Sequence, residues 1–180
     1  MITPNQNLRT LGARMRNLAI VATAFFTIGL GQSQADDTEI EFEPFKGDMA
    51  IIDPTQTPVF DDEGNFVGIQ DEAGGNATQL GKFTAIVIFK PLPPDFAVFN
   101  GEIVMTAANG DTVELEFEGV SIGEETEEGF TISFAAEIVG GTGRFEGATG
   151  EIFLDGIILP SDDETDFGAT FFDFDGLISE

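Results

Sequence analysis

Carboxylates are nearly the only side chains in this sequence that could carry chemistry. The 180 residues include 33 aspartates and glutamates but no histidine, cysteine, tyrosine or tryptophan. A serine or cysteine nucleophile activated by an imidazole base is therefore excluded, and carboxylates remain for acid–base catalysis. A carboxylate pair could hydrolyse a glycoside, but sugar sites usually stack the substrate on Trp or Tyr. The composition therefore argues against a hydrolase.

Acidic side chains gather in segments that we predict to be loops, and oxygen ligands of this kind suit Ca²⁺. The candidate ligands lie in the segments DDEGN and SDDETD: Asp61, Asp62, Glu63, Asp162, Asp163 and Asp166. DDEGN lacks the spacing of an EF-hand loop, and acidic loops are more often simply solvated. Weak calcium sites and solvated loops both stay open, and we expect no other cofactor.

A glycine-rich stretch, GGTGRFEGATG, surrounds Arg144 in a chain with few basic residues. It lacks the Gly-Lys-Ser/Thr ending of a phosphate-binding loop and the glycine spacing of a dinucleotide fingerprint. We predict a tight, bulged corner between two strands, because close backbone approach and positive φ both favour glycine. Arg144 would donate to loop carbonyls or to a carboxylate such as Glu146. The residues of this structural loop are Gly140, Gly141, Gly143, Arg144, Gly147 and Gly150.

The first 35 residues have the layout of a secretory signal peptide. Three arginines precede residue 17, an apolar run follows from Leu18 to Leu30, and the small residues of a cleavage site end at Ala35. We predict cleavage after Ala35 and export to the periplasm or the medium, with no membrane span in the mature chain. A retained membrane anchor is the alternative. The start residue is either Met1 or Met15.

The net charge of the mature chain, residues 36–180, limits the classes of molecule that it can bind. It keeps all 33 acidic residues and four of the seven basic ones, so its formal net charge is 4 minus 33, or −29. Nucleic acid is excluded as a partner because phosphate binding needs a positive field. Mutual repulsion keeps such a chain soluble, and salt or divalent cations that screen the charge should stabilise its fold.

Apolar and polar residues alternate with a period of two from Thr38 onward, which is typical of strands with one buried face. The clearest case is TVELEFEG at 112–119, preceded by the apolar GEIVMTA and by Asn109 and Gly110, the favoured pair of a two-residue hairpin turn. Further strands are predicted at 77–89, 129–139, 150–159 and 167–178, and segment 39–52 is predicted to form either two strands or one strand with a bulge near Gly47. These features indicate a single all-β domain, either a sandwich or a barrel.

Two segments are predicted to be connections. PLPPD at 91–95 should lie between strands because proline interrupts a ladder of hydrogen bonds. Segment 53–76 is rich in Pro, Asp and Gly and should form one long loop, with a small hairpin around Gly64.

Phenylalanine is the dominant large side chain, with 19 copies. Nine of them lie on predicted strands: Phe83, Phe89, Phe117, Phe130, Phe134, Phe153, Phe171, Phe172 and Phe174. This is enough to fill the interior of an eight-stranded barrel. A fully packed core is the default, and the alternative is an underfilled barrel that holds a small apolar ligand.

The stretch IVGGTGRFEGATGEIFL at 138–154 resembles the glycine-rich stretch of plant allene oxide cyclases and, more loosely, of dirigent proteins. With LGKFTAIVIF, ANGDTVELEFEG and ATFFDFDGLI elsewhere in the chain, the order is similar to that of bacterial secreted proteins with an allene oxide cyclase barrel-like domain. The resemblance implies one antiparallel eight-stranded β-barrel over residues 36–180, with a lined cavity and often a homotrimeric assembly. The plant enzymes carry a cysteine on the strand corresponding to FTAIVIF, which has none here, and no catalytic residue is assigned.

These observations lead to two functional expectations. The first is an exported, acidic, non-catalytic barrel with a binding or scaffolding role, which holds a small apolar ligand only if the barrel is underfilled. The alternative is a cofactor-free isomerase or cyclase of the allene oxide cyclase type, acting on a lipophilic substrate in the barrel. Polar side chains that converge in an open cavity would favour the enzyme, and an interior filled by phenylalanine would argue against it.

Overall fold

A computed structural model describes residues 40–52, 54–92, 98–161 and 168–179 of the chain. The predicted signal peptide and both candidate start residues lie outside the described residues. The described part forms a single 3₁₀ turn, Gly143–Phe145, and nine strands: β1 (Phe42–Ile51), β2 (Thr57–Phe60), β3 (Phe66–Ala77), β4 (Gly81–Leu92), β5 (Val98–Ala107), β6 (Thr112–Glu125), β7 (Phe130–Gly141), β8 (Gly150–Ile158) and β9 (Thr170–Ser179).

Eight of these strands close into an antiparallel barrel. Neighbours along the sheet run β1-β9-β8-β7-β6-β5-β4-β3, and β1 pairs with the last part of β3, Gly74 to Ala77, to complete the ring. β2 is an additional strand outside the ring, paired with the first part of β3, Phe66 to Gln70. The predicted all-β fold and eight-stranded antiparallel barrel are therefore confirmed.

The prediction of one long loop over 53–76 is wrong, because residues 66–77 form β3, a full strand of the barrel. Glycine, aspartate and asparagine are depleted in strands, so the composition pointed to a loop. Glycine is needed at this position because a Cβ on Gly75 would collide with the backbone carbonyl of Asp48, where β1 and β3 close the ring. The small hairpin around Gly64 is present, with β2 and β3 as its arms.

Two smaller predictions also need correction. β4 continues through Pro91 to Leu92, and proline is tolerated there because the pairing with β3 has already ended at Phe89. The hairpin between β5 and β6 has a three-residue loop instead of a two-residue one, since the N–H of Ala107 donates to the carbonyl of Asp111 at 2.9 Å.

Side chains alternate between the barrel interior and its outer face. The predicted inward row of β6 is buried, with exposed glutamates between its members: Val113, Leu115 and Phe117. All nine strand phenylalanines were expected to fill the interior, and three of them do not. Phe153 and Phe171 stand at outward-facing positions of β8 and β9 and are 49% and 41% exposed, and Phe130 at the start of β7 is 38% exposed.

Carboxylates on the outer face stand directly opposite one another on neighbouring strands. We call one set the glutamate row, which runs across β5, β6, β7 and β8: Glu102, Glu116, Glu137 and Glu151. We call the other the aspartate row, which runs across β1, β9 and β8: Asp48, Asp173 and Asp155. Lys46 forms an ion pair of 2.6 Å with Asp175, outside both rows. The register therefore places like charges side by side, which destabilises a sheet.

Candidate functional site

The barrel has one packed end and one end that contains a cavity. Phe45, Phe83 and Phe174 pack on each other toward the end where β7 leads into β8, with ring centroids 5.5 and 6.5 Å apart. Phe145, which belongs to that corner, is fully buried. The cavity has a volume of about 90 Å³ and lies toward the opposite end, where β7 begins and β8 ends. One water needs roughly 10–15 Å³, so a small organic group has room there.

The cavity walls are aromatic and aliphatic. Five phenylalanines line it: Phe89, Phe99, Phe117, Phe134 and Phe172. Phe134 has its ring centroid 4.9 Å from that of Phe117 and 5.8 Å from that of Phe172, and the rings of Phe89 and Phe99 meet edge to face at 6.0 Å. The rings are thus held by one another, and the surface they offer is large and apolar.

A carboxyl group, that of Asp71 on β3, also faces this cavity. The residue is only 3% exposed, and its Oδ1 accepts the backbone N–H of Gln56 at 2.7 Å. Burial raises the pKa of Asp71 above its usual range, against the effect of the N–H groups of Gln56 and Thr55, which lower it. Among the described residues, Asp71 is the one titratable side chain that lines the cavity.

The carboxyl group of Asp71 binds the backbone of the connection between β1 and β2, next to the place where β1 and β3 pair to close the barrel. β1 and β3 are paired as far as Ala50 and Gly74, and the backbone at Gln56 lies beyond this point. Gln56 has a φ of 47°, in the left-handed region that a non-glycine residue seldom adopts. Pro54 of the same connection lines the cavity. Uncommon backbone conformations of this kind cluster at functional sites.

Asp71 was not among the residues predicted from the sequence, because it falls in the segment that we predicted to be a loop. A weak signal is present in hindsight. Residues two apart on a strand lie on the same face. The face of Asp71 also carries the small residues Ala73, Gly75 and Ala77, and the opposite face carries the polar residues Glu72 and Asn76. Such small residues give little contrast between a buried and an exposed face, so the period of two is difficult to recognise.

The glycine-rich stretch forms the corner between β7 and β8, at the packed end. A Cβ on Gly141 would collide with the backbone carbonyl of Thr112, and Gly143 has a φ of 65°. The Nε of Arg144 lies 3.8 Å from Oδ2 of Asp111, and its guanidinium carbon lies 4.6 Å from the ring centroid of Phe145. The carboxylate near Arg144 is thus Asp111, where the sequence had suggested Glu146. This corner lies away from the cavity.

The acidic loop DDEGN uses one of its carboxylates internally. Asp61 accepts the backbone N–H groups of Glu63 and Asn65 at 2.9 and 2.8 Å and the side-chain amide of Asn65 at 3.0 Å. The hydrogen bond from the Asn65 side chain is the main cause that holds the pKa of Asp61 below its usual range. In the part of the chain that the structure describes, no three carboxylates are placed to hold a metal ion. Asp162, Asp163 and Asp166 lie outside the described residues.

Comparisons with known proteins add no relative. Neither protein-family models nor curated proteins nor solved structures gave a match to the chain. The described ranges contain no helix that is long and apolar enough to cross a membrane. Membership of the allene oxide cyclase family therefore stays a proposal, whereas the barrel and its cavity are features of the structure.

Proposed function

We propose that this protein is an exported, acidic β-barrel with a binding role and no catalytic activity, and that it holds a small apolar ligand in the cavity. The observation that supports this is the cavity of about 90 Å³ with walls of phenylalanine and aliphatic side chains. An apolar group that leaves water for such a site gains about 25 cal/mol per Å² of buried surface. The rings already contact one another, so little ordering is required when the ligand enters.

Cavity filling tests this function. Val87 of β4 points into the cavity, whereas its neighbour Ile86 faces outward and is half-buried. Val87→Phe should remove binding of a neutral apolar probe, 1-hexanol, because the larger ring occupies its space, and Ile86→Phe should leave binding within about twofold. Binding can be followed by saturation-transfer NMR, and circular dichroism shows whether each variant is folded. Equal binding of 1-hexanol to both folded variants would place the probe elsewhere and contradict the proposal.

We also propose that the chain is related to allene oxide cyclase and dirigent barrels, and that it assembles as a homotrimer. The eight-stranded barrel and the glycine stretch before β8 support the relationship. Native mass spectrometry of protein from its own host measures the subunit number and any retained ligand in one experiment. The same preparation tests export, because removal of residues 1–35 leaves a new N-terminus at Asp36. If no chain that begins at Asp36 is found in the secreted or periplasmic fraction, the proposal of export is contradicted.

A second candidate is a cofactor-free isomerase or cyclase with a lipophilic substrate. The observation in its favour is the carboxyl of Asp71, which has a raised pKa and faces an apolar cavity, since general acids and bases are tuned in this way. The protein would be incubated with lipophilic epoxides and the products analysed by mass spectrometry. Turnover that is present in the wild type and absent in Asp71→Asn would favour this candidate over the binding role.

A further inference from the structure

We propose that the ligand of this cavity is an organic cation, an apolar molecule with one primary ammonium group, and that the carboxylate of Asp71 binds this group. The inference rests on the proposed binding role of the cavity and specifies the chemistry of its ligand. Three independent observations carry it: a buried carboxylate, the aromatic walls around it, and the distribution of charge at this end of the barrel.

Among the described residues, no cationic side chain forms an ion pair with the carboxylate of Asp71. The ion pairs among the described residues join Lys46 to Asp175 and Arg144 to Asp111, and Asp71 takes part in neither. Backbone N–H groups of the connection after β1 hold the Asp71 side chain in place. Burial disfavours its ionised form, and an ammonium group beside it would offset this cost with a charge-assisted hydrogen bond. A ligand carboxylate at the same place would instead add a second negative charge.

The aromatic walls suit a cation equally well. The face of a phenylalanine ring carries partial negative charge, and a cation within about 6 Å of the ring centroid is attracted to it, more strongly where water is excluded. Five phenylalanines line the cavity that Asp71 faces. The rest of the ligand can pack on the same rings and on the aliphatic walls, so one molecule satisfies both kinds of surface.

Charge at this end of the barrel also favours a cation. Ile122 and Ile132 line the cavity, and the last residues of β6 together with the turn before β7 carry four carboxylates: Glu124, Glu125, Glu127 and Glu128. The mature chain as a whole has a formal charge of −29, from four basic and 33 acidic residues. A negative field of this kind concentrates cations near the cavity and repels anions such as fatty acids.

Three probes of equal chain length test the inference: hexylamine, 1-hexanol and hexanoate, titrated at pH 7 and 0.3 M NaCl. An alkylamine is protonated at this pH, and the salt suppresses loose attraction to the acidic surface. Affinities are measured by saturation-transfer NMR. We expect hexylamine to bind at least about tenfold more tightly than 1-hexanol, as for a hydrogen bond between charged groups, and hexanoate to bind most weakly.

Two variants on β3 distinguish binding by the carboxylate of Asp71 from attraction by the negative charge of the protein surface. Asp71→Asn removes the inward carboxylate and keeps an oxygen for the N–H of Gln56, whereas Glu72→Gln removes one charge from the exposed face of β3. We expect Asp71→Asn to weaken hexylamine binding at least about tenfold and to change 1-hexanol binding by less than about twofold. Glu72→Gln should leave both affinities unchanged. Val87→Phe should remove hexylamine binding, since the site is the cavity.

Each contrary result has a definite meaning. Hexanoate that binds as tightly as hexylamine, or equal losses in Asp71→Asn and Glu72→Gln, would overturn the inference and leave the proposed function intact. The same holds for hexylamine binding that persists in Val87→Phe, because the cation then sits on the acidic surface. If none of the three probes binds, the proposed function fails together with the inference. Should Asp71→Asn not fold, the order of the three probes on the wild type decides by itself.

Discussion

Removing one carboxylate from the glutamate row and one from the aspartate row should stabilise the barrel at low ionic strength. Five pairs of like charges stand directly opposite in the two rows, and four of these pairs contain either Glu116 or Asp173. The double variant Glu116→Gln with Asp173→Asn therefore breaks nearly all of the repulsion that the register creates, while the size of each side chain is preserved.

The expected gain follows from the geometry of directly opposite residues. Their Cβ atoms are about 5 Å apart, and carboxylates at about 7 Å repel by roughly 0.6 kcal/mol in water. Screening leaves about half of this at 0.1 M salt and about a tenth at 1 M. Four broken pairs thus give about 1 kcal/mol at 0.1 M and close to nothing at 1 M. For a domain of this size, about 1 kcal/mol corresponds to a rise in Tm of roughly 3 °C.

The assay is thermal unfolding followed by circular dichroism at 0.1 M and 1 M NaCl. A matched control, Glu72→Gln with Glu114→Gln, also removes two exposed charges from strands. The residues opposite these two glutamates carry no charge, because Glu72 pairs with Ile86 and Glu114 with Val104 and Gly140. An equal gain in the control would show that total charge matters and that the register does not. A gain that persists at 1 M NaCl would show that the gain is not electrostatic, and either result would refute this account.

Three further predictions use the same melting assay. Gly141→Ala should cost at least about 3 kcal/mol, because its Cβ would meet the carbonyl of Thr112, which already accepts the N–H of Thr142 at 3.0 Å. Gly147→Ala should cost only about 1–2 kcal/mol, since its Cβ meets open space and the cost comes from its φ of 79°; equal losses would refute this account. The pKa of Asp71 is raised in the folded protein, so the folded state binds this proton more tightly, and the contribution of Asp71 to wild-type stability falls as the pH rises above the usual value of 3.8. The Tm of Asp71→Asn relative to the wild type should therefore increase between pH 4 and pH 7, and a constant difference would contradict the assignment. Millimolar CaCl₂ at fixed ionic strength should not shift the Tm, because Asp61 is already engaged within its own turn; an upward shift would make the acidic loops calcium sites.

Much of the architecture was accessible from the sequence because the underlying signals are local. The alternation in TVELEFEG identifies the buried face of β6 without knowledge of its neighbours, since the period of a strand is two. The glycines of the stretch after β7 likewise indicate a corner, because they answer a local need of the backbone. The missing histidine and cysteine restrict the chemistry wherever the chain folds.

Other features required the closed barrel, because they depend on contacts between residues that are distant in the sequence. β3 becomes a strand since its glycines let β1 approach and complete the ring, a tertiary effect that overrides its loop-like composition. The register across three strands, β5, β6 and β7, places Glu116 opposite Glu102 and Glu137, although each glutamate alone is an ordinary exposed residue.

The sequence by itself determined an all-β acidic domain without imidazole or thiol chemistry. Only the tertiary structure decided which end of the barrel is packed and which carboxylate faces inward. Phe145 and Asp71 are both buried. From the sequence, Phe145 was predicted to lie in a corner between strands and Asp71 in a loop. Burial at these positions depends on ring closure and on the path of the chain over the barrel ends, and such contacts leave only a weak periodic signal around Asp71.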